Sequence, residues 1–324
     1  MLLALFCIAL LQAFYNKIGI NRNERFKLVK TTKLVSVIIT TYNRKIKVLS
    51  RAVESVIHQT YKNLELIVVN DYPENVNLST GIAQYIDSLN DDRVHYISCV
   101  ENMGACKARN TGIVNSHGEY IAFLDDDDEW DIAKIEKQLV EFKNSNIGAV
   151  YCFYNNILLN GKSEKVIPCD KTGNIQDYLL KGNCVGGASV PLIRRVVFDK
   201  IGLFDEKLQS SQDHDMWLRI AVYYDFACCK EYLVNRYMQD ESITMNINKQ
   251  KQGFYYFIEK HKDLYINHKH TYNYILNQKA KKWIVAGYYS DAFNLVSEAI
   301  KVMPYSVSNI LEPLKGFIIK ILGK

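Results

Sequence analysis

The sequence predicts an α/β protein built on a mostly parallel sheet, and three observations carry that prediction. Short β-rich apolar runs alternate with stretches of helical period from residue 34 to about residue 154, and such alternation calls for right-handed crossovers between parallel strands. The apolar run 120–124 then ends abruptly in four consecutive aspartates, Asp125, Asp126, Asp127 and Asp128, with Trp130 just beyond. The carboxyl ends of strands are where open α/β sheets bind ligands. Finally, the first strand ends in Thr40-Thr41-Tyr42-Asn43-Arg44. That turn lacks the glycines a dinucleotide-binding domain needs to bring helix amides to a pyrophosphate.

The elements follow in order. Residues 34–40 read as a buried strand, and Val48, Leu49, Ala52, Val53, Val56 and Ile57 fall at helical spacing after it. A second strand spans 64–69 and ends in Asn70-Asp71, and Ile82, Tyr85, Ile86 and Leu89 mark the next helix. Residues 94–97, 105–114 and 120–124 repeat strand, helix and strand. Past Trp130, Ile132, Ile135 and Leu139 predict a helix and 149–154 a further strand. Residues 155–210 hold Gly161, Pro168, Gly173, Gly182, Gly186, Gly187 and Pro191, which predicts loops and short strands. From about residue 245 the pattern is helical. The segment 281–304 reads as helix, turn at Gly287 and helix, and Ile310, Leu311, Leu314, Phe317, Ile318, Ile321 and Leu322 share one face of a last helix. The chain therefore divides into an apolar and basic segment (1–32), an α/β domain (33–240) and a C-terminal helical region (241–324).

Composition narrows the function. Of the 324 residues 48% are hydrophobic, enough to bury one large core, and the net charge of +5 is spread along the chain, so nucleic-acid binding is not indicated. The eight cysteines, Cys7, Cys99, Cys106, Cys152, Cys169, Cys184, Cys228 and Cys229, show no Cys-x-x-Cys spacing and read as reduced thiols of a cytoplasmic domain. Residues 1–15 are uncharged and nearly all apolar, yet shorter than the roughly 20 residues of a spanning helix. Lys17, Arg22, Arg25, Lys27, Lys30 and Lys33 follow, which would keep the remainder on the cytoplasmic side if the segment inserted. Packing against the protein or a partner is the alternative. The final helix likewise suits either a membrane surface or packing on the main domain.

Acidic runs are ordinarily solvated surface. This one follows five strand-forming residues, with Gly118-Glu119 as the turn before them, and four carboxylates at a buried strand end repel one another unless a cation or hydrogen-bond donors neutralise them. A divalent metal carrying phosphates suits that place.

The motifs together resemble family 2 glycosyltransferases. They are the run 35–44 ending in Thr41-Tyr42-Asn43-Arg44, then Asn102-Met103-Gly104 with Ala108-Arg109-Asn110-Thr111-Gly112, then Phe123-Leu124 with the four aspartates. Ile201-Gly202-Leu203-Phe204-Asp205-Glu206 and Gln212-Asp213-His214-Asp215-Met216-Trp217-Leu218-Arg219 complete them, so the resemblance covers roughly residues 33–230. It implies a GT-A fold, Rossmann-like with helices on both faces, a nucleotide-sugar donor, a divalent cation and inversion at the anomeric carbon.

The resemblance also implies roles. Thr41, Tyr42, Asn43, Arg44 and Asp71 would hold the nucleoside, and Gly104 and Arg109 would close the floor of the nucleotide pocket. Arg109 could instead be a structural ion pair of the aspartate cluster. Asp125 and Asp127 match the family's Asp-x-Asp, with Asp127 as direct ligand of Mg²⁺ or Mn²⁺ and Asp125 nearer the ribose or a metal-bound water. Asp126 would lie along the donor, and with Asp128 would tune the field or cap the next helix. Asp213 matches the second residue of the family's Glu-Asp pair, the general base. The first is here Gln212, and one negative charge fewer should make Asp213 a slightly weaker base. The turn Asp71-Tyr72-Pro73-Glu74 departs from the family's Asp-Gly-Ser and weakens the case for base contacts there. Asp215 and Arg219, four apart, read as a helical ion pair, and His214 as an incidental exposed side chain.

The expectation is a metal-dependent inverting transferase. It would move a hexose or N-acetylhexosamine from a UDP-sugar to a glycan or lipid-linked glycan, in capsule or lipopolysaccharide synthesis on the cytoplasmic face of the inner membrane. A catalytically dead relative serving as a scaffold is the rival, against which intact Asp125, Asp127 and Asp213 argue. An aspartyl phosphotransferase would need its nucleophile after the first strand, where Thr41-Tyr42-Asn43 stands. A glycosidase would need two carboxylates but no nucleotide turn.

Overall fold

The computed structural model describes residues 33–238 and 247–322. The expectations for residues 1–15 and for the basic residues before Lys33 lie outside these. The first half of the α/β domain comprises β1 (Val35–Thr41), β2 (Leu64–Asn70), β3 (Val94–Ser98) and β4 (Tyr120–Asp125), joined through α1 (Ile46–Ile57), α2 (Val76–Ser88) and α3 (Ala105–Val114). These strands stand in the order β3-β2-β1-β4 and are parallel throughout, with Val35 opposite Leu64 on one side and Tyr120 on the other. Every residue of β2 is buried, as expected of a strand covered on both faces. Its one acid, Glu65, accepts hydrogen bonds from Ser36 Oγ and from the His117 N–H, both at 2.6 Å. Gly112 of α3 faces Ile38 so closely that a Cβ would collide with that side chain. The helix therefore lies against β1 at a spacing only glycine permits.

The second half is mixed. It holds β5 (Glu129–Trp130), α4 (Lys134–Val140), β6 (Ile147–Ile157), β7 (Ser163–Val166), α5 (Gln176–Lys181), β8 (Leu192–Arg194), α6 (Arg195–Ile201), α7 (Gln212–Tyr223) and β9 (Asp225–Tyr237). β8 inserts antiparallel between β4 and β6, β6 runs parallel to β9, and β5 closes the edge, giving β3-β2-β1-β4-β8-β6-β9-β5 with β7 on β6. The α/β class expected from the alternation is the one observed. Ile132, expected on the helix after Trp130, precedes α4 and is exposed. The seven described cysteines are free.

The C-terminal region consists of α8 (Ile247–Lys260), α9 (Lys262–Asn267), α10 (Lys269–Ala286), α11 (Tyr289–Val302) and α12 (Ser308–Leu322). Gly287, with φ of 89°, makes the turn expected there and ends α10 in a left-handed cap. Three buried asparagines knot the helices together: Asn273 and Asn277 both donate to Asn309 Oδ1 at 2.7 Å, and Asn273 also donates to the Ala299 carbonyl. α12 meets α10 through its small and polar face, Asn309, Pro313 and Gly316, where a Cβ on Gly316 would lie 3.0 Å from the Lys281 carbonyl. The consequence is an inverted helix: Ile310, Leu311, Leu314, Ile318, Ile321 and Leu322 all face outward. α12 does pack on the protein, but not by its apolar side. No helix among the described residues is long and apolar enough to cross a membrane.

Candidate active site

The acidic run forms a turn at the end of β4, closed by Asp128 N–H donating to the Asp125 carbonyl at 3.1 Å, and the turn sorts its four carboxylates by direction. Asp126 and Asp128 point inward and are buried. Asp126 accepts from Thr41 Oγ1 at 2.7 Å and from Arg44 Nε at 2.9 Å. Asp128 accepts from Ser189 Oγ at 2.6 Å and from the Tyr237 N–H at 3.2 Å, with Arg236 Nε at 4.0 Å. Burial pushes Asp126 up to about 6 against the pull of Arg44, and pushes Asp128 up to about 8 with Asp125 repelling it further. Neither caps α4, which begins only at Lys134. Asp126 thus braces the Thr41-to-Arg44 turn instead of presenting its carboxylate along an open donor groove.

Asp125 and Asp127 remain the outward pair, their side chains 35% and 17% exposed. Asp127 accepts from Arg44 Nη2 at 3.0 Å, while Arg51, stacked 3.5 Å over the Tyr237 ring, donates to the Asp127 carbonyl. Asp125 accepts from Arg109 Nη2 at 2.9 Å. Each commits one oxygen to an arginine, and a carboxylate has about four lone-pair sites, so acceptor capacity remains on both. Among the described residues no three His, Cys, Asp or Glu side chains group to hold a metal ion by themselves. That donor set fits Mg²⁺ or Mn²⁺, which needs one or two protein carboxylates and completes its shell with phosphate and water.

Arg109 is the hinge of the site. Presented by α3 and nearly buried, its guanidinium reaches Asp125 on β4 and Asp213 on α7, the latter at 3.5 Å. Burial alone would lower its pKa, but Asp213 and Asp125 outweigh that and hold it above the ordinary value. The structure therefore shows the ion pair with the aspartate cluster, and extends it to the expected base. Asp213 itself is raised above the ordinary carboxylate range, by burial first and by Asp125 as well, against Arg109 and Arg236. The weakening expected from Gln212 is relative to a Glu at that position, and burial raises Asp213 above a free carboxylate all the same. The Gln212 amide turns away to the Leu208 carbonyl, and desolvation sets the shift instead.

Asp71 lies at the end of β2 with one oxygen on the Met103 N–H and the other on the Gly104 N–H, both at 2.8 Å. Gly104 sits there at φ of 84° as N-cap of α3. Asp71 therefore clamps the turn that launches Arg109. The Tyr72-Pro73-Glu74 turn is tied to the same loop through Glu74 and the Asn102 N–H. Tyr42 is half exposed with its ring 4.7 Å from that of Tyr72, and Asn43 takes a left-handed φ of 49° that asparagine tolerates. Thr41 and Arg44 turn toward the aspartates, leaving Tyr42 and Asn43 as the outward residues of the four.

Two other expectations resolve nearby. Asp215 pairs with Arg219 at 2.9 Å as anticipated, but is fully buried and also receives Lys260 and His261, both at 2.8 Å, anchoring the C-terminal helices to α7. His214 is not an exposed side chain. Its ring stacks 4.5 Å from Phe257, Nε2 donates to the Leu179 carbonyl, and burial pushes its pKa down to about 4. Sequence reasoning missed Ser189, whose Oγ accepts from the Asp125 N–H and donates to Asp128, and whose carbonyl accepts from Trp130 Nε1. It also missed Arg236, which approaches Asp128 from β9. Gly186-Gly187-Ala188-Ser189 read only as a loop, because nothing local reveals that β8 carries it to the end of β4.

A parallel β3-β2-β1-β4 unit with a carboxylate turn at its last strand, continued by a mixed half that returns a carboxylate-bearing helix to the same edge, is the arrangement of a GT-A glycosyltransferase. Comparison agrees. The family described as glycosyl transferase family 2 matches residues 36–202, and the chain belongs to it. Relatives include the putative colanic acid biosynthesis glycosyl transferase WcaA of Escherichia coli K12, 29% identical over 79% of this chain and 92% of its own length. An uncharacterized glycosyltransferase of Methanocaldococcus jannaschii is 32% identical over 74% and 82%. Among solved structures, TarS 1-349 of S. aureus with UDP-GlcNAc aligns at a TM-score of 0.57 and 13% identity over 90% of this chain and 92% of that one. A Pyrobaculum calidifontis mannosyltransferase with GDP-Man and Mn²⁺ aligns at 0.59 and 13% identity over 90% and 87%. At such identity these structures speak to the fold alone.

Proposed function

We propose that the chain is a metal-dependent inverting transferase. It moves a hexose or N-acetylhexosamine from a UDP-sugar to a hydroxyl of a glycan or lipid-linked glycan, in surface polysaccharide or lipopolysaccharide synthesis. The observation that carries this reading is the Arg109 clamp, which holds Asp125 at a strand end and Asp213 at a helix start on one guanidinium. In this reading Asp213 removes the acceptor hydroxyl proton. The oxygen so freed bonds to the anomeric carbon as the bond from that carbon to the diphosphate breaks, and the nucleoside diphosphate leaves. A carboxyl raised above its ordinary range suits general-base work near neutrality. Asp127 and Asp125 would hold the cation, which when bound stabilises the departing diphosphate as a Lewis acid. Arg109 keeps both carboxylates in register, and Tyr42 with Tyr72 offers an aromatic surface for the nucleobase. The relative named for colanic acid biosynthesis suits the product class, and proteins of the same fold hold UDP-GlcNAc or GDP-Man with Mn²⁺, which is in keeping with a nucleotide-sugar donor and a divalent cation. A scaffold without activity would have no need of the clamp.

The outward apolar face of α12 supports peripheral contact with the cytoplasmic face of a membrane. The donor is tested by thermal unfolding with UDP-, GDP- and dTDP-sugars, with and without Mn²⁺. One UDP-sugar should raise the midpoint only when the cation is present, because a bound ligand stabilises by mass action. Protection that ignores the cation would remove the metal from the site. A product with the donor's own anomeric configuration would contradict a single in-line displacement.

A further inference from the structure

A second site lies on the other flank of the α7 N-terminus. A cleft of about 310 Å³ opens between α5, α7 and the C-terminal helices, at the small end of the range ligand pockets occupy. Three lysines line it, Lys181, Lys279 and Lys282, and no aspartate or glutamate does. The nearest acids on α5 and α7 are already engaged: Asp177 with His268, Asp213 with Arg109, and Asp215 with Arg219, Lys260 and His261. Lys279 is the deepest of the three. Its ammonium rests 4.8 Å from the Phe254 ring centroid and has no carboxylate partner among the described residues. Burial, reinforced by Lys282, pushes its pKa down to about 8. Lys279 and Lys282 repel each other in a cleft that Lys181 also lines, and the free energy of that repulsion is recovered when an anion enters. A dianion answers three ammonium groups better than one carboxylate does.

The position of the cleft says what the anion belongs to. Ser211 and His214 line it, and they bracket Asp213, so the two sites share a single helical turn. His214 stays neutral and stacked on Phe257, giving the cleft an uncharged wall beside its cationic end. Gly182 and Asn183 line the cleft too, at the start of the loop that reaches Ser189 beneath Asp125.

We propose that this cleft binds the phosphate or diphosphate group of the acceptor, positioning its hydroxyl at Asp213. The acceptor is thus a phosphate-bearing glycan, either lipid-linked or free. The assignment rests on the transferase reading for the word acceptor, but the anion site itself does not, and the test separates the two. Lys279 acylation by acetic anhydride is followed by peptide mass spectrometry in EDTA, with inorganic phosphate, geranyl diphosphate or uncharged geraniol as protectant. Phosphate and geranyl diphosphate should each slow Lys279 modification about tenfold at about 10 mM, well above a millimolar dissociation constant. The protection should vanish in Lys181→Gln/Lys282→Gln, whose two side chains are exposed, with an unchanged unfolding midpoint confirming that the variant folds. Protection by geranyl diphosphate alone supports the site and assigns it to lipid-linked acceptors. Protection by inorganic phosphate as well supports it and admits free phosphorylated glycans. Absence of protection by either, equal protection by geraniol, or protection that survives in the double variant overturns the proposal. In transfer assays Lys279→Gln should raise the KM for a phosphorylated acceptor about tenfold with donor KM and donor hydrolysis unchanged. A loss confined to kcat would overturn the positioning role without touching the transferase reading.

Discussion

The two flanks of the α7 N-terminus are charged in opposite ways. On the Asp213 side the carboxylates of the aspartate turn and Asp213 each have an arginine, Arg44 for Asp126 and Asp127, Arg109 for Asp125 and Asp213, Arg236 for Asp128, and Asp71 rests on two backbone N–H groups. On the His214 side three lysines face a cleft without any acid. The first is compensated within the chain and the second is not. A compensated cluster holds its geometry before any ligand arrives, whereas an uncompensated one waits for a charge from outside. The difference explains why removing an arginine should damage the fold, while removing a cleft lysine should damage only recognition.

The largest effect expected from breaking the comparison is at Arg109. Arg109→Ala leaves Asp125 and Asp213 without their cation; with both carboxylates partly exposed the loss should fall below that of a fully buried pair, at about 2 kcal/mol. Urea unfolding should show this as a lower midpoint at unchanged slope. A stability equal to that of the unmodified protein would mean the clamp carries no strain relief. Lys282→Ala, by contrast, should leave the midpoint within about 0.5 kcal/mol of its original value, the usual range for exposed sites.

The next effect concerns pH. Asp126 and Asp128 have folded pKa values raised to about 6 and about 8, above the unfolded value of about 3.9. Groups raised on folding bind more protons in the folded state, so their contribution to stability is complete below about pH 4. It is lost as pH rises through about 6 for Asp126 and about 8 for Asp128. With chelator present, stability from these groups should fall between pH 4 and 8. Asp128→Asn should flatten the upper part of the curve. A curve that rises over that window in the unmodified protein, and is unchanged by Asp128→Asn, would remove the inward carboxyl from the account.

The smallest effect is at α12. Replacing Leu314 and Ile318 by Glu alters only outward side chains, so the fold should survive while sedimentation with anionic vesicles at low salt weakens. Because single apolar anchors bind membranes marginally, with association constants of about 10⁴ M⁻¹, the change is several-fold and not all-or-none. No sedimentation of the unaltered protein would assign the face elsewhere.

Much of this was legible in the sequence, for identifiable reasons. The crossover half follows from apolar period, and the Asp125-to-Asp128 turn stood out because a buried strand ended in charge. Motif order brought Arg109 and Asp213 into one reading. What the sequence hid was direction. Nothing local says that Asp126 and Asp128 point inward while Asp125 and Asp127 point outward, since that depends on Ser189 arriving from the loop before β8 and Arg236 from β9. The buried state of His214 depends on Phe257 of α8, and the inverted seating of α12 on the asparagine knot with α10. Each is a tertiary contact between elements far apart in the chain, beyond the reach of spacing rules.

The central claim is that Asp213 acts on the acceptor from the far side of the Arg109 clamp, while Asp125 and Asp127 act on the donor. Its most direct test is the single-turnover rate and donor affinity of Asp213→Asn beside those of Asp127→Asn. Asp213→Asn should lose about 10²-fold or more in the transfer step, the scale of general-base loss, with donor affinity nearly unchanged. Asp127→Asn should lose cation-dependent donor binding itself. Equal loss of donor binding in both variants, or full transfer activity in Asp213→Asn, would contradict the division of labour that the clamp implies.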